Sequence, residues 1–187
     1  DLAGWSIQYA SAQGSVWDAS GLPSFSLLPG QYFLVQLATE GSVGSALPKP
    51  DASGQLQLNP SAGKVALVHG NAPLTGSPCP SSALLADLVS YGVSSNCGEG
   101  GTTAPLLSAD RSALRNAGGC SDTDNNGADF RAPRATAPGP RNSASTLNPC
   151  GVSRNEQTLP SLSGAGSLLL AAAALLSLAL SRRRRSA

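Results

Sequence analysis

Apolar and polar residues alternate in short runs over positions 1–150. Trp5, Ile7 and Tyr9 fall to one side of an extended chain, with Ser6 and Gln8 between them. Leu56 and Leu58 alternate with Gln55 and Gln57 in the same way. This period of two marks half-buried strands. Two denser apolar runs, residues 32–37 after Pro29-Gly30 and residues 64–69 before Gly70-Asn71, are predicted as strands bounded by turn formers. Residues 84–91 fit a strand or a short helix; Val89 and Tyr91 just before Gly92 favour the strand. No helical period of useful length occurs before residue 160. Many short strands separated by Gly, Pro, Ser and Asn clusters predict an all-β sandwich.

From residue 160 the pattern changes. Residues 162–180 form 19 consecutive uncharged positions dominated by Leu and Ala, followed by Arg182, Arg183, Arg184 and Arg185. As a helix this stretch reaches about 28 Å, close to the hydrocarbon thickness of a bilayer. Its eight leucines each favour insertion by about 0.3–0.6 kcal/mol. The expected organisation is a folded domain over 1–150, a polar spacer over 151–160, a transmembrane helix over 161–181 and a basic tail over 182–187. By the positive-inside rule the tail is cytoplasmic and the domain lies outside, at the cell membrane or cell surface. A glycolipid-anchor signal is disfavoured by the basic block behind the hydrophobic tail.

The charge balance looks different once divided this way. The chain carries 12 basic and 11 acidic side chains, so without the four terminal arginines 8 and 11 remain, a net of −3. A mildly acidic body argues against nucleic acid as a partner, since phosphate neutralisation needs clustered cations. Cys79, Cys97, Cys120 and Cys150 are even in number, widely spaced and without a C-x-x-C pair, which suits disulfides in an oxidising compartment better than zinc. Of three possible connectivities, Cys79–Cys97 with Cys120–Cys150 closes the short loops and is favoured on proximity. The chain contains no methionine, so residues are expected before Asp1.

Candidate chemistry is sparse. Asp122, Asp124 and Asn126, followed by Gly127, match the front half of a calcium loop, with oxygens at alternating positions and a glycine for the turn. Pro133 stands where the bidentate Glu belongs, leaving Asp129 as the remaining ligand candidate. A run of Asx turns is the alternative, because Asp and Asn bond their own backbone. No other cofactor is indicated. His69 is the only histidine and no G-x-S-x-G elbow accompanies it, so no hydrolytic triad is expected. The Gly98-Glu99-Gly100-Gly101 segment lacks the Lys-Ser/Thr of a phosphate loop and reads as a loop beside Cys97. Among the aromatics, Trp5, Tyr9 and Tyr32 are expected in the core. Trp17 is expected at the surface, where it is the candidate contact for a carbohydrate or protein partner.

Several segments, in order, resemble the lamin tail domains of bacterial proteins. Asp1-Leu2-Ala3-Gly4-Trp5-Ser6-Ile7-Gln8-Tyr9 is similar to the family's D-L-S-G-W-x-L-Q-Y segment. Leu28-Pro29-Gly30-Gln31-Tyr32-Phe33-Leu34-Val35-Gln36, Gly63-Lys64-Val65-Ala66-Leu67-Val68 and Asp87-Leu88-Val89-Ser90-Tyr91-Gly92 follow. Ala113-Leu114-Arg115, Asp122-Thr123-Asp124-Asn125-Asn126 with Asp129-Phe130, and Pro140-Arg141-Asn142-Ser143 complete the set. The resemblance implies an immunoglobulin-like β-sandwich whose first strand, bearing an E-(L/I)-Y-N-P pattern, lies upstream of Asp1. It also implies a non-catalytic binding or adhesion module, or an accessory domain of a longer extracellular nuclease or other hydrolase. The partner would then be an extracellular protein or polysaccharide. Leu159-Pro160-Ser161-Leu162-Ser163 with the apolar span and arginines is similar to IPTL-type C-terminal sorting signals, without their Trp-Gly.

Overall fold

The computed structural model describes residues 1–38, 46–108, 110–134, 139–148 and 150. The expected spacer, transmembrane helix and basic tail therefore lie outside the described residues. Among those described, no helix is long and apolar enough to cross a membrane. The fold is all-β.

Among the described residues eight strands occur in chain order: β1 Trp5–Ser11, β2 Asp18–Gly21, β3 Val35–Ala38, β4 Ala52–Gln57, β5 Gly63–His69, β6 Leu85–Tyr91, β7 Leu114–Arg115 and β8 Phe130–Arg131. One helical turn, α1 Asn126–Asp129, precedes β8. The main sheet has the order β2-β1-β5-β6, antiparallel throughout, while β3-β4 is a parallel pair and β7-β8 an antiparallel one. In the main-sheet register Tyr9 opposes Val65 and Val65 opposes Val89, so apolar side chains align across three strands. Residues 84–91 thus form a strand. The run 32–37 keeps its ladder only from Val35, because Leu34 N–H donates to the Asp51 carboxylate at 2.7 Å instead of to a neighbouring strand.

The first core lies on one face of the main sheet. Ile7, Tyr9, Val65, Val89 and Tyr91 pack there against Leu56 of β4, Phe130 of β8, and Ala104, Leu107 and Ala113. Gly63 stands between the two tyrosines: a Cβ there would lie 2.7 Å from the Tyr9 ring and from the Tyr91 hydroxyl. Those rings reach the loop after β4, where Tyr91 Oη donates to Asn59 C=O at 2.6 Å and Asn59 N–H donates to Tyr9 Oη at 3.1 Å.

The opposite face is not the solvent face that alternation predicts for β1. Ser6 and Gln8 are fully buried, as are Lys64 and Ser90 on the same side. Residues 70–80 fold over them, and a second core of Ala10, Trp17, Ala66, Val68, Leu74, Leu88 and Cys97 fills the space. Irregular backbone brought into an interior needs hydrogen-bond partners, and the polar side chains of β1 and β5 supply them. Gln8 donates to Ala72 C=O at 2.9 Å and accepts from Leu74 N–H at 2.8 Å. Lys64 Nζ donates to Gly14 C=O, Pro78 C=O and Asn96 Oδ1 at 2.6, 2.8 and 2.9 Å. Burial holds its amine below the ordinary lysine range. Trp17 is likewise buried, 2% exposed, with its ring 5.7 Å from Lys64 Nζ. It is a core residue, not a surface contact, because the 12–17 loop closes inward on Lys64.

Both disulfides have the favoured connectivity. Cys79 and Cys97 stand 5.0 Å apart at Cα and tie the loops that Lys64 gathers; Cys120 and Cys150 stand 5.2 Å apart.

Replacing Lys64 by Met keeps the buried stem but leaves three acceptors without a donor. It is expected to lower stability by about 3 kcal/mol, measured by urea denaturation with the disulfides intact. An unchanged midpoint would show that Lys64 does not organise these loops.

Candidate functional site

The densest group of polar side chains lies where the 121–129 loop meets the outer edge of β6. β6 is the last strand of its sheet, so one row of its backbone groups faces away from β5. Asn126, fully buried at the start of α1, lies along this row like a short strand. Its Oδ1 accepts from Ser90 N–H at 2.8 Å and its Nδ2 donates to Leu88 C=O at 2.9 Å. Glu99, in the turn after Cys97, continues the row: its carboxylate accepts from Leu88 N–H at 3.1 Å and from Asn126 Nδ2 at 3.0 Å. Beyond Ser90 the row passes to backbone, as Ala104 N–H donates to Ser90 C=O and Gly92 N–H to Ala104 C=O.

Local chemistry holds the loop in this position. Asn125 caps α1 by accepting from Ala128 N–H at 3.0 Å, and the Thr102 hydroxyl donates to the same Oδ1 at 2.7 Å. Asp129 is fully buried and accepts from Thr123 N–H, Thr123 Oγ1, Ser121 Oγ and Asn125 N–H. Burial alone would raise its pKa, but these donors outweigh it and hold the carboxyl below the ordinary range. Asp124 turns the chain with φ at +54°, a conformation Asp tolerates better than most residues.

Arg115 of β7 ties this loop to the sheet. Its guanidinium contacts Asp87 of β6 at 2.7 Å and Asp122 at 2.9 Å, lies 4.0 Å from Asp129, and stacks on Phe130 at 4.6 Å. Together with Glu99, four carboxylates surround one buried cation. Burial raises the pKa of Asp87 against the opposing pull of Arg115. Glu99 is pushed up to about 7, first by burial and then by the charges of Asp87 and Asp122. Arg115, although burial works against its charge, is held more firmly protonated by Asp87 and Asp122.

The four residues expected to share calcium are not gathered as ligands. Asn126 serves β6, Asp129 serves the loop's own donors, Asp122 pairs with Arg115, and Asp124 is exposed. Among the described residues no group of three or more His, Cys, Asp or Glu could hold a metal ion. Within this run an Asx-type bond to following backbone is made by Asn125, which accepts from Ala128 N–H. His69 ends β5 exposed, its ring 4.8 Å from that of Trp5, and among the described residues it bonds to no serine or carboxylate. Glu99, Asp87 and Arg115 had no role assigned from sequence. The available signal was a single charge inside an apolar run, at Asp87 between Ala86 and Leu88 and at Arg115 after Leu114, since a charge buried in such a run calls for a partner.

The chain matches no protein-family model, no curated protein and no solved structure.

Two outcomes follow from this geometry. Glu99 binds its proton more tightly in the folded chain than in the unfolded one, where it titrates near 4.5. Its contribution to stability is complete below that value and is lost as pH rises through about 7. Melting temperature is expected to fall by a few degrees between about pH 5 and about pH 8, and Glu99→Gln to flatten that slope. A slope retained in the variant would place the titrating group elsewhere. Asn126→Ala, which strands Ser90 N–H and Leu88 C=O, is expected to cost about 3 kcal/mol in urea denaturation, and millimolar Ca²⁺ is expected to leave the wild-type melting temperature unchanged. A calcium-dependent rise would restore the metal reading.

Proposed function

We propose that the chain is a non-catalytic binding or adhesion module of the lamin tail type, an immunoglobulin-like sandwich held at the cell surface by its apolar C-terminal segment. The observation that carries the non-catalytic reading is the state of the polar cluster at β6. Both oxygens of Glu99 and the amide of Asn126 are taken up by internal partners. The hydroxyls of Ser121 and Thr123 donate to Asp129. Within this cluster these bonds leave no nucleophile beside a free base, the pairing that acyl-transfer or hydrolytic chemistry requires. The ordered series of motifs over 1–145 supports the family, and the two disulfides agree with an oxidising compartment. Residues 162–180 with the following arginines support a single span with the domain outside.

Membrane fractionation of bacteria expressing the full chain tests this reading. The chain is expected in the carbonate-resistant membrane fraction, with its body digested by protease added to intact cells and its thiols unreactive until reduced. A soluble chain with four reactive thiols would overturn it.

A further inference from the structure

Residues 139–148 bond to two earlier segments, 28–31 and 49–51, where the Asp51 carboxylate accepts from Ser143 N–H at 2.9 Å. Asn148 N–H donates to Gly30 C=O at 2.7 Å, and Gln31 Nε2 donates to Ser143 C=O at 3.0 Å. Asn142 Nδ2 donates to Lys49 C=O at 3.0 Å. The 28–31 turn, the 49–51 segment and the closing segment therefore form one surface, at the end of the domain from which the chain continues past Cys150. Leu28 and Leu147 are 61% and 48% exposed there.

The cations of this region are Lys49 and Arg141; elsewhere Arg131 is also exposed and makes no bond within the described residues, whereas the remaining basic groups described are engaged. Lys64 is buried on three acceptors and Arg115 is buried among carboxylates. Arg111 donates to Ala132 C=O, and Arg134 pairs with Asp110 at 3.6 Å. Arg141 has no acceptor among the described residues. Its guanidinium is held 4.1 Å over the Tyr32 ring, and its Nε–H is buried without a partner. Lys49 is exposed, and its ammonium makes no bond within the described residues. In a body whose overall balance is acidic, two unpaired cations beside two exposed leucines suit a surface that is anionic outside and apolar beneath.

We propose that Leu28, Lys49, Arg141 and Leu147 seat the domain on an anionic lipid bilayer, the cations at the headgroup phosphates and the leucines at the acyl boundary. This rests on the anchored reading above. Residues 151–160 span at most roughly 35 Å at full extension, so an anchor beginning at 161 keeps this end of the domain within reach of the membrane. Tethering converts docking into an intramolecular step, in which a small number of contacts suffices. The rigid stack of Arg141 on Tyr32 lowers the ordering cost of the contact.

Hydrogen exchange of the full chain in nanodiscs tests the proposal, comparing phosphatidylglycerol-rich discs, phosphatidylcholine discs and detergent. Slowing by about fivefold or more, the attraction of one cation near an anionic surface, is expected at residues 28–31 and 142–148 in the anionic discs alone. High salt should abolish it, an arm that requires no variant. Leu28→Ser and Lys49→Gln, both at exposed positions, should weaken it without changing exchange in the sheet. Equal exchange in both kinds of disc overturns the docking while leaving the anchor intact. A chain that does not enter discs overturns the anchor and the docking together. Slowing in detergent that grows with protein concentration identifies a second copy as the occupant and overturns the lipid reading.

Discussion

The outer edge of β6 sets a requirement that much of the domain is arranged to meet. An edge strand with unpaired backbone is a template for aggregation, and here it is closed by two side chains and a short backbone bridge. The Asn126 carboxamide presents one donor and one acceptor at the spacing of a strand backbone, which no carboxylate or hydroxyl can do. Placing it there fixes the 121–129 loop. That loop in turn needs the donors of Ser121, Thr123 and Asn125 directed at Asp129, and Arg115 to join it to Asp87 of the sheet. The cluster resembles a site in composition, yet each member is accounted for by keeping the loop against the strand.

The second face of the sheet meets the same physical problem by other means. Residues 70–80 supply carbonyls and amides without a ladder of their own, and Gln8 and Lys64 satisfy them from within the strands. A buried ammonium without a carboxylate is costly, but three short hydrogen bonds and the adjacent Trp17 ring offset much of that cost. The Cys79–Cys97 disulfide joins two of the loops that Lys64 holds. A chain with few aromatics and short strands therefore relies on polar anchors and cross-links where a larger core would otherwise serve.

Much of the strand content was legible in the sequence. Alternation located β1 and β4, the apolar run 64–69 located β5, Val89 and Tyr91 before Gly92 favoured a strand at β6, and loop length gave the disulfide pairs. What alternation does not reveal is what covers each side of a strand. Ser6 and Gln8 read as solvent-facing, although an irregular segment more than sixty residues away covers them. Trp17 read as exposed for the same reason: no local pattern reports that Lys64, from β5, draws its loop inward. The calcium-like run reads two ways because the same oxygens that ligate a cation also accept backbone and hydroxyl donors. Only the fold distinguishes the two uses, since it decides whether the oxygens point at one centre or at separate partners. Glu99 was invisible in its glycine-rich loop because its role depends on β6 standing beside it.

The polar residues gathered at the β6 edge thus act as scaffold for the 121–129 loop. Side chains, and not solvent, complete the β6 edge. Native-state amide exchange at Ser90 and Leu88 measures this directly. Both amides should exchange only through opening of the sheet, as slowly as those of β5, although among the described residues no strand lies beyond them. Exchange at these two positions near the rate of an unprotected amide, with β5 still protected, would contradict the account.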